Sequence, residues 1–533
     1  MKIIDNVYVY RPGHGKVNTI GHVKIDDGKI REVNEGRFGE RGAHVINGKG
    51  RTLSAAFTDS HLHLLRYGLM KKELDLRKAK SWQAFQRSVR NHYDRLEQYG
   101  WIVGNGMVDD QFEDLDHVLT AKDLRVFEFD APMFFLHDDG HQAVVNEKAL
   151  DLLKNEPELE ENHDVFIEKD ETGEWTGRFK DTAVHYIKFH FRQRSVEEVQ
   201  AAVEEAIPHL LKYGITAVHT DDLNFTGSYE RVWKAYTNLE NQRKLPIHAY
   251  LHHYVYNADD LGEFLENWEL RSGEGTDRVK VGAVKIFLDG TQRLHTAAMR
   301  RPYHDHPETR GTLVYGQEDV DEMVRLADEN DMQVTMHAIG DAAVEQALNA
   351  IEKVGAERMR HRIIHIQQLE PDLIERLKKI KPYCEIQPGF LMGEYDKKAK
   401  WSGEDRARYC DSWGTVYREA IPFTGSSDCP ISPLNPFMGI FAAVNRTDEN
   451  GNPEGGWMPT EKLPLDAIFR AYTETPPYLA FQENNRGKIV EGYDADFLLL
   501  SDHPEEVDAF RLKDVQVEET WVAGEKKYDC TRL

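Results

Sequence analysis

Phe57-Thr58-Asp59-Ser60-His61-Leu62-His63 closes an apolar run that begins near Leu53. Side chains alternate faces along an extended strand, so residues two apart point the same way. Two imidazoles at that spacing converge on one point, as a divalent metal requires. The chain has 24 histidines, so one His-X-His carries little weight alone. Four more ligand-type residues along the chain add to it. Lys285 lies in Val284-Lys285-Ile286-Phe287, His337 in Thr335-Met336-His337-Ala338 and His365 in Ile363-Ile364-His365-Ile366, and Asp428 comes after Gly425-Ser426-Ser427. Each ends an apolar run of its own.

These runs belong to a longer alternation. Strand-like segments at 53–60, 215–220, 247–252, 281–288, 333–337, 361–366, 383–387 and 421–426 alternate with amphipathic helices. Val320, Met323, Val324 and Ala327 form one apolar stripe, and Val344, Leu348 and Ile351 a second. Leu373, Leu377 and Ile380 form a third behind a helix-starting Pro371. Strand and helix in alternation predict an α/β fold with a parallel sheet, and eight repeats predict a (β/α)8 TIM barrel. Catalytic side chains of such barrels sit at the C-terminal ends of the strands. About 150 residues part the first two strands, far more than one βα unit needs. Residues 65–205 are therefore expected to form a large insertion after the first strand, a subdomain covering the barrel mouth, with strands in Trp101-Ile102-Val103-Gly104 and Pro132-Met133-Phe134-Phe135-Leu136-His137. The ends differ in texture. Asp27-Gly28 between Val23-Lys24-Ile25 and Lys29-Ile30-Arg31 is a hairpin signal. Asp496-Phe497-Leu498-Leu499-Leu500 and Val515-Gln516-Val517 are also strand-like. Residues 1–54 with 488–533 are expected to join as one small β-sandwich domain around a barrel domain spanning 55–487.

The sequence has 533 residues, 67 basic and 92 acidic, with a net charge of -25. That balance argues against nucleic acid or anionic membranes as partners. No stretch approaches the roughly 20 apolar residues of a membrane span, and the first residues lack a signal peptide's apolar core. Four cysteines without a CxxC pairing read as reduced thiols. A cytoplasmic enzyme acting on a small-molecule substrate is the expectation.

The four stretches around His61, Lys285, His337 and Asp428, extended to Leu288-Asp289-Gly290, His337-Ala338-Ile339-Gly340-Asp341 and Ser427-Asp428-Cys429-Pro430, with Gln387-Pro388 and Gly492-Tyr493-Asp494-Ala495-Asp496, resemble the metal-dependent amidohydrolase superfamily. The resemblance is greatest to its amidohydrolase-3 branch, which includes N-substituted formamide deformylase-like proteins, and it covers nearly the whole chain. It implies one or two divalent ions, zinc above all, held by His61, His63, Lys285, His337, His365 and Asp428. His61, His63 and Asp428 would hold the more buried ion; His337 and His365 would hold a second or bind a substrate oxygen. Lys285 would be a carboxylated lysine bridging two ions, because burial favours the neutral amine that takes up carbon dioxide; the other reading is a plain lysine paired with Asp289. Asp428 would serve as general base and acid, with His365 steadying the oxyanion; the other reading of Asp428 is a helix N-cap before Pro430. The implied reaction is hydrolysis of a carbon–nitrogen bond in an amide, N-acyl or N-formyl compound through a metal-activated water. Ester hydrolysis, deamination, isomerisation and a catalytically silent binding barrel are the alternatives. A homodimer is implied by the branch alone.

Further residues are weighed beside these. Asp139-Gly140-His141 resembles a run of the branch that reaches the pocket, so His141 either touches substrate or is structural. Arg300, Arg301 and Tyr303 come after the fourth strand and either bind a polar substrate or make salt bridges. Gln387 is a further candidate for substrate contact. Asp341 is expected to cap a helix. His252-His253 and His304-x-His306 lie outside the main pattern, and Trp401 and Trp413 are expected to pack. The chain departs from the branch at Ala55-Ala56, at Ile364 where a glutamate is usual, and at Thr473-Glu474-Thr475-Pro476-Pro477.

Overall fold

Eight parallel strands succeed one another around a barrel: Phe57–Leu62, Ile215–Thr220, His248–Tyr254, Val279–Phe287, Val334–Ala338, Arg362–His365, Tyr383–Ile386 and Phe423–Gly425. Each hydrogen-bonds the next in chain order, and the eighth lies beside the first. Hydrogen bonds join that seam, among them Ser60 Oγ donating to the Gly425 carbonyl at 3.0 Å and Asp428 N to the His61 carbonyl at 2.8 Å. This computed structural model describes residues 1–13, 19–39, 44–96, 100–191 and 193–532.

All six residues of the first barrel strand are buried. The expected strand at 53–60 is divided at Ala56. His44–Ala55 belongs to another sheet, where Leu53 pairs with Leu499. Ala56 N still bonds the Asp496 carbonyl, and Phe57 N turns to Gly214. The apolar run is continuous because both sheets are buried there, which hides the change of partner. The helical stripes fall where periodicity places them. Val320, Met323, Val324 and Ala327 are the buried face of Gln317–Glu329. Val344, Leu348 and Ile351 are buried in Asp341–Val354, and Leu373 and Leu377 in Pro371–Ile380. The cap of Asp341–Val354 is Gly340; Asp341 instead accepts the backbone N–H of Arg300 at 2.8 Å.

Both chain ends meet in one hydrogen-bonded sheet of seven strands. Its order is Glu525–Asp529, Val517–Val522, Phe497–Leu500, His44–Ala55, Lys2–Val9, Gly21–Asp26 and Lys29–Glu35. Asp27 and Gly28 have φ of 49° and 71°, the left-handed pair a tight two-residue hairpin requires. Ile4, Val7, Val23, Ile25, Leu53, Phe497 and Leu499 form its core, with the Phe497 and Trp521 rings stacked at 5.3 Å.

The chain divides into two compact units, residues 1–62, 207–221 and 236–533, and residues 63–206 with 222–235. The second is built on its own six-stranded sheet, ordered Ile167–Lys169, Trp175–Lys180, Gln142–Val145, Met133–His137, Ile102–Met107 and Leu74–Asp75. Phe85, Phe112, Phe127 and Phe135 fill its core. A buried Arg178–Asp109 pair at 2.5 Å joins the strand Trp175–Lys180 to the turn after Ile102–Met107. Among the described residues no helix is long and apolar enough to cross a membrane.

Candidate active site

The end of the first barrel strand carries Asp59 and His61, both almost wholly buried. Asp59 faces the loop after the eighth strand. Its carboxylate accepts Ser427 Oγ at 2.5 Å, Ser427 N at 3.1 Å and His61 N at 3.2 Å. Burial pushes its pKa up to about 7 against those three donors. The clamp sets Asp428 one residue further on, with Oδ1 3.4 Å from His61 Nε2. Asp428 has φ of 55°, a left-handed conformation that a side chain adopts at a cost and that recurs at functional sites. No helix begins at Asp428, so the capping alternative does not apply.

The fifth strand delivers His337 and the loop after the fourth delivers Asp289. His337 Nδ1 lies 3.0 Å from Asp289 Oδ1. The same carboxylate accepts the backbone N–H groups of Ile339, Gly340 and Ala298 at 2.8 to 3.0 Å. Asp289 is therefore the carboxylate that orients His337, and the alternative pairing of Lys285 with Asp289 is not made. The Phe287 ring stacks on the His337 imidazole at 3.8 Å. With Nδ1 holding its proton toward Asp289, Nε2 is the ring's basic nitrogen.

His365 ends the sixth strand, at φ of 76°. Its Nδ1 donates to Gln387 Oε1 at 2.7 Å. The Gln387 amide is locked by its own donations to the Glu385 carbonyl at 3.1 Å and to Ser426 Oγ at 2.9 Å. Gln387, the candidate for substrate contact, holds a histidine. The His365 ring lies 4.6 Å from that of His337 and 6.0 Å from that of His61. Ligand atoms of His61, His365 and Asp428 all fall within 4.8 Å of one another.

Lys285 is 2% exposed on the fourth strand. Burial lowers its pKa, while Asp221, Asp428 and Glu385 favour its charge and Arg362 opposes it. Glu385 pairs with Arg362 at 3.0 Å, both fully buried, and accepts Thr335 Oγ1 at 3.2 Å. Arg362 also lies 3.0 Å from His219 Nδ1 and from His252 Nε2. Glu385 is thus one of three acids, with Asp221 and Asp428, that act on Lys285. It comes from the seventh strand. An acid inside Tyr383-Cys384-Glu385-Ile386 was the available signal, and sequence reading passed over it together with Asp59, His219 and Arg362.

The hydrogen-bonded ladder of the first strand ends at Leu62, and His63, the next residue, belongs to the second unit and stands before the helix Leu64–Lys72 with φ of -113° and ψ of 77°. His141, in that unit, is held by Asp181 at 2.8 Å. Arg300 makes two 2.9 Å bonds to Asp372 and one of 3.0 Å to Glu345, and Arg301 pairs with Glu370 and Asp405. These are the salt bridges of the second reading. Tyr303 donates its hydroxyl to the Ala297 carbonyl and packs with Met299 and Trp401. His253 stacks on Phe264, and Trp413 is buried under Arg446. Cys384, Cys410 and Cys429 are buried free thiols.

The residues at the strand ends fit a divalent cation. Two imidazoles and one carboxylate offer the donor types zinc prefers, in a buried setting where the anionic oxygen offsets the ion's charge. The Nδ1 atoms of His337 and His365 are each committed to a protein acceptor, the arrangement by which metal-binding imidazoles are oriented.

Comparison with known proteins agrees with this geometry. The Amidohydro_3 model of the amidohydrolase family matches residues 44–528, and the chain belongs to that family. YtcJ of Bacillus subtilis (strain 168), whose amidohydrolase name is provisional, is 32% identical over 95% of this chain and 96% of its own length. The N-substituted formamide deformylase of Arthrobacter pascens is 21% identical over 92% of this chain and 90% of its own. The crystal structure of an uncharacterized metal-dependent hydrolase from Pyrococcus horikoshii OT3 superposes with a TM-score of 0.76 at 25% identity, covering 95% of this chain and 99% of that one. The class is thus an amidohydrolase-family hydrolase on a parallel barrel.

Proposed function

We propose that this hydrolase uses a divalent ion, zinc by donor type, to cleave the carbon–nitrogen bond of a small N-formyl or N-acyl compound. The observation that carries the reading is the convergence of His61, His365 and Asp428, with His337 beside them, at the C-terminal ends of the barrel strands. Likeness to a formamide deformylase supports the choice of bond. His61, His337, His365 and Asp428 would hold the ion. When bound, it supplies Lewis acidity and lowers the pKa of a water from about 15.7 toward 7.

The protein's own groups do the rest. The Asp428 carboxylate takes a proton from the attacking water at one oxygen and passes it to the departing nitrogen. Water adds to the carbonyl carbon, the carbon–nitrogen bond breaks, and a carboxylic acid and an amine result. His365, with Nδ1 committed to Gln387, turns Nε2 toward the ion, and any steadying of charge on the carbonyl oxygen would run through that contact. Lys285, buried with its pKa lowered, takes up carbon dioxide as a carbamate and releases one proton. The buried free thiols fit a reducing compartment such as the cytoplasm.

The test is a panel of N-formyl and N-acyl amines, with esters and aminopurines alongside, given to purified zinc-loaded protein. Amine release from the amides, reduced about 10²–10⁴-fold in kcat by Asp428→Asn, is the expected result. Activity confined to esters or aminopurines would overturn the bond assignment. Intact-mass measurement with and without bicarbonate reads the Lys285 carbamate, which Lys285→Ala abolishes.

A further inference from the structure

A second cluster of ligand-type side chains lies in the segment that joins the fourth barrel strand to the helix Gln317–Glu329. His295 Nε2 is 3.0 Å from Asp305 Oδ1, and His306 Nδ1 is 3.5 Å from the same oxygen. All three ligand atoms lie within 4.8 Å of one another. Four ligands around zinc at the usual distances stand about 3.3 Å apart, so these spacings are those of a tetrahedral edge. The second oxygen, Asp305 Oδ2, is buried and accepts no hydrogen bond from the described residues. The exposed Lys400 ammonium stands 4.0 Å from it, too far for a hydrogen bond.

The surroundings hold this geometry. His295 takes a left-handed φ of 56°, and its ring is met edge-on by Tyr303 at 4.8 Å and, tilted by 39°, by His306 at 3.8 Å. Tyr303 is fixed by its bond to the Ala297 carbonyl. His304 N donates to the Trp401 carbonyl, and Thr309 N closes a turn on the His306 carbonyl. Two imidazole rings this close are poorly placed if both are charged. His295 Nε2 holds its proton toward Asp305 Oδ1 and would release it on ligating an ion. The His306 side chain is 47% exposed, so an ion has access from solvent.

We propose that His295, Asp305 and His306 form a divalent-metal site separate from the barrel centre, taking zinc or a similar late transition ion with water at the remaining position. The bound ion closes the ten-residue span between His295 and Asp305 and clasps the segment beyond the fourth strand. None of its three residues belongs to the donor set of the barrel centre, so the two sites load independently.

The experiment is zinc titration of the full-length protein by calorimetry, with cobalt(II) as a spectroscopic substitute, on wild type, His306→Ala and Asp305→Asn. Wild type is expected to bind one more equivalent than either variant. Changes in residues that only support a ligand weaken metals about 10–100-fold, so loss of a direct ligand should weaken this equivalent by at least that factor. Cobalt should give the visible bands of a tetrahedral ion that vanish in His306→Ala. His306 is solvent-facing, and unchanged circular dichroism together with unchanged stoichiometry at the barrel centre identifies a folded variant. Equal metal content in wild type and both variants, with identical cobalt spectra, would overturn the site and leave a hydrogen-bonded His–Asp–His trio.

Discussion

At the scale of single residues, the candidate site depends as much on the groups that aim its histidines as on the histidines. Gln387→Met removes the acceptor of His365 Nδ1 while keeping the volume. Metal affinity, read by competition with a chromophoric chelator, should fall about 10–100-fold, and unchanged affinity would show that His365 is not a ligand. Asp428→Asn should weaken the ion by at least about 10–100-fold, as loss of a direct anionic ligand, and should still lack turnover at zinc concentrations that refill the site, which separates proton transfer from ligation. Most chemistry-bearing residues were legible in sequence because each ends an apolar run, where a polar side chain needs a reason. Asp289 and Gln387 were seen but given other tasks. Their contacts at 3.0 and 2.7 Å join neighbouring strands and loops, and spacing along the chain cannot report such pairs.

At the scale of elements, the turn between the fifth strand and its helix leaves no room for a side chain. A Cβ on Gly340 would meet the Ala298 carbonyl oxygen at 2.0 Å, and that atom is backbone. Gly340→Ala should destabilise by about 1–3 kcal/mol, the usual effect of overpacking, seen as a lower urea midpoint with unchanged slope. In the second unit, the strand Met133–His137 ends on a buried histidine among acids. His137 Nδ1 lies 2.9 Å from Asp138 and 3.0 Å from Asp139, and Nε2 3.3 Å from Asp110. Burial works against the charged ring, but Asp139, Asp110 and Asp138 outweigh it and raise the pKa to about 11. The folded value lies above the unfolded one, so this stabilisation is complete below about pH 6.5 and is lost as pH rises toward 11. His137→Leu leaves Asp139 buried without its cation and should destabilise by about 3–5 kcal/mol at neutral pH. The gap between wild type and variant in thermal melts should narrow as pH rises, and a gap independent of pH would refute the ion-pair account. Helical stripes were readable because 3.6-residue periodicity is local. The break at Ala56 was not, because a strand's sheet partner leaves no mark on its own periodicity.

At the scale of the whole molecule, the barrel gathers its candidate ligands from the first, fifth and sixth strands and from the loop after the eighth. Such a set exists only when the chain is folded, so metal binding stabilises the native state, by about 2.7 kcal/mol at a hundredfold excess over Kd. Chelation should lower the melting temperature, and zinc should restore it in proportion to the logarithm of its free concentration; a melting point indifferent to chelator would remove the barrel ion from the account. His306→Ala should keep most of this response, since it leaves the barrel ligands in place. By itself the sequence determined the alternation of strand and helix, the count of eight strands, the joining of the two ends and the positions of most ligand-type residues. These come from periodicity and from polar residues in apolar runs, which are properties of neighbours along the chain. Only the tertiary structure decided that Asp289 serves His337, that Gln387 serves His365, that Asp221, Asp428 and Glu385 gather on Lys285, and that His295 meets Asp305 and His306. Each of these depends on which backbone segments lie side by side, and that is set by closure of the sheet rather than by local preference.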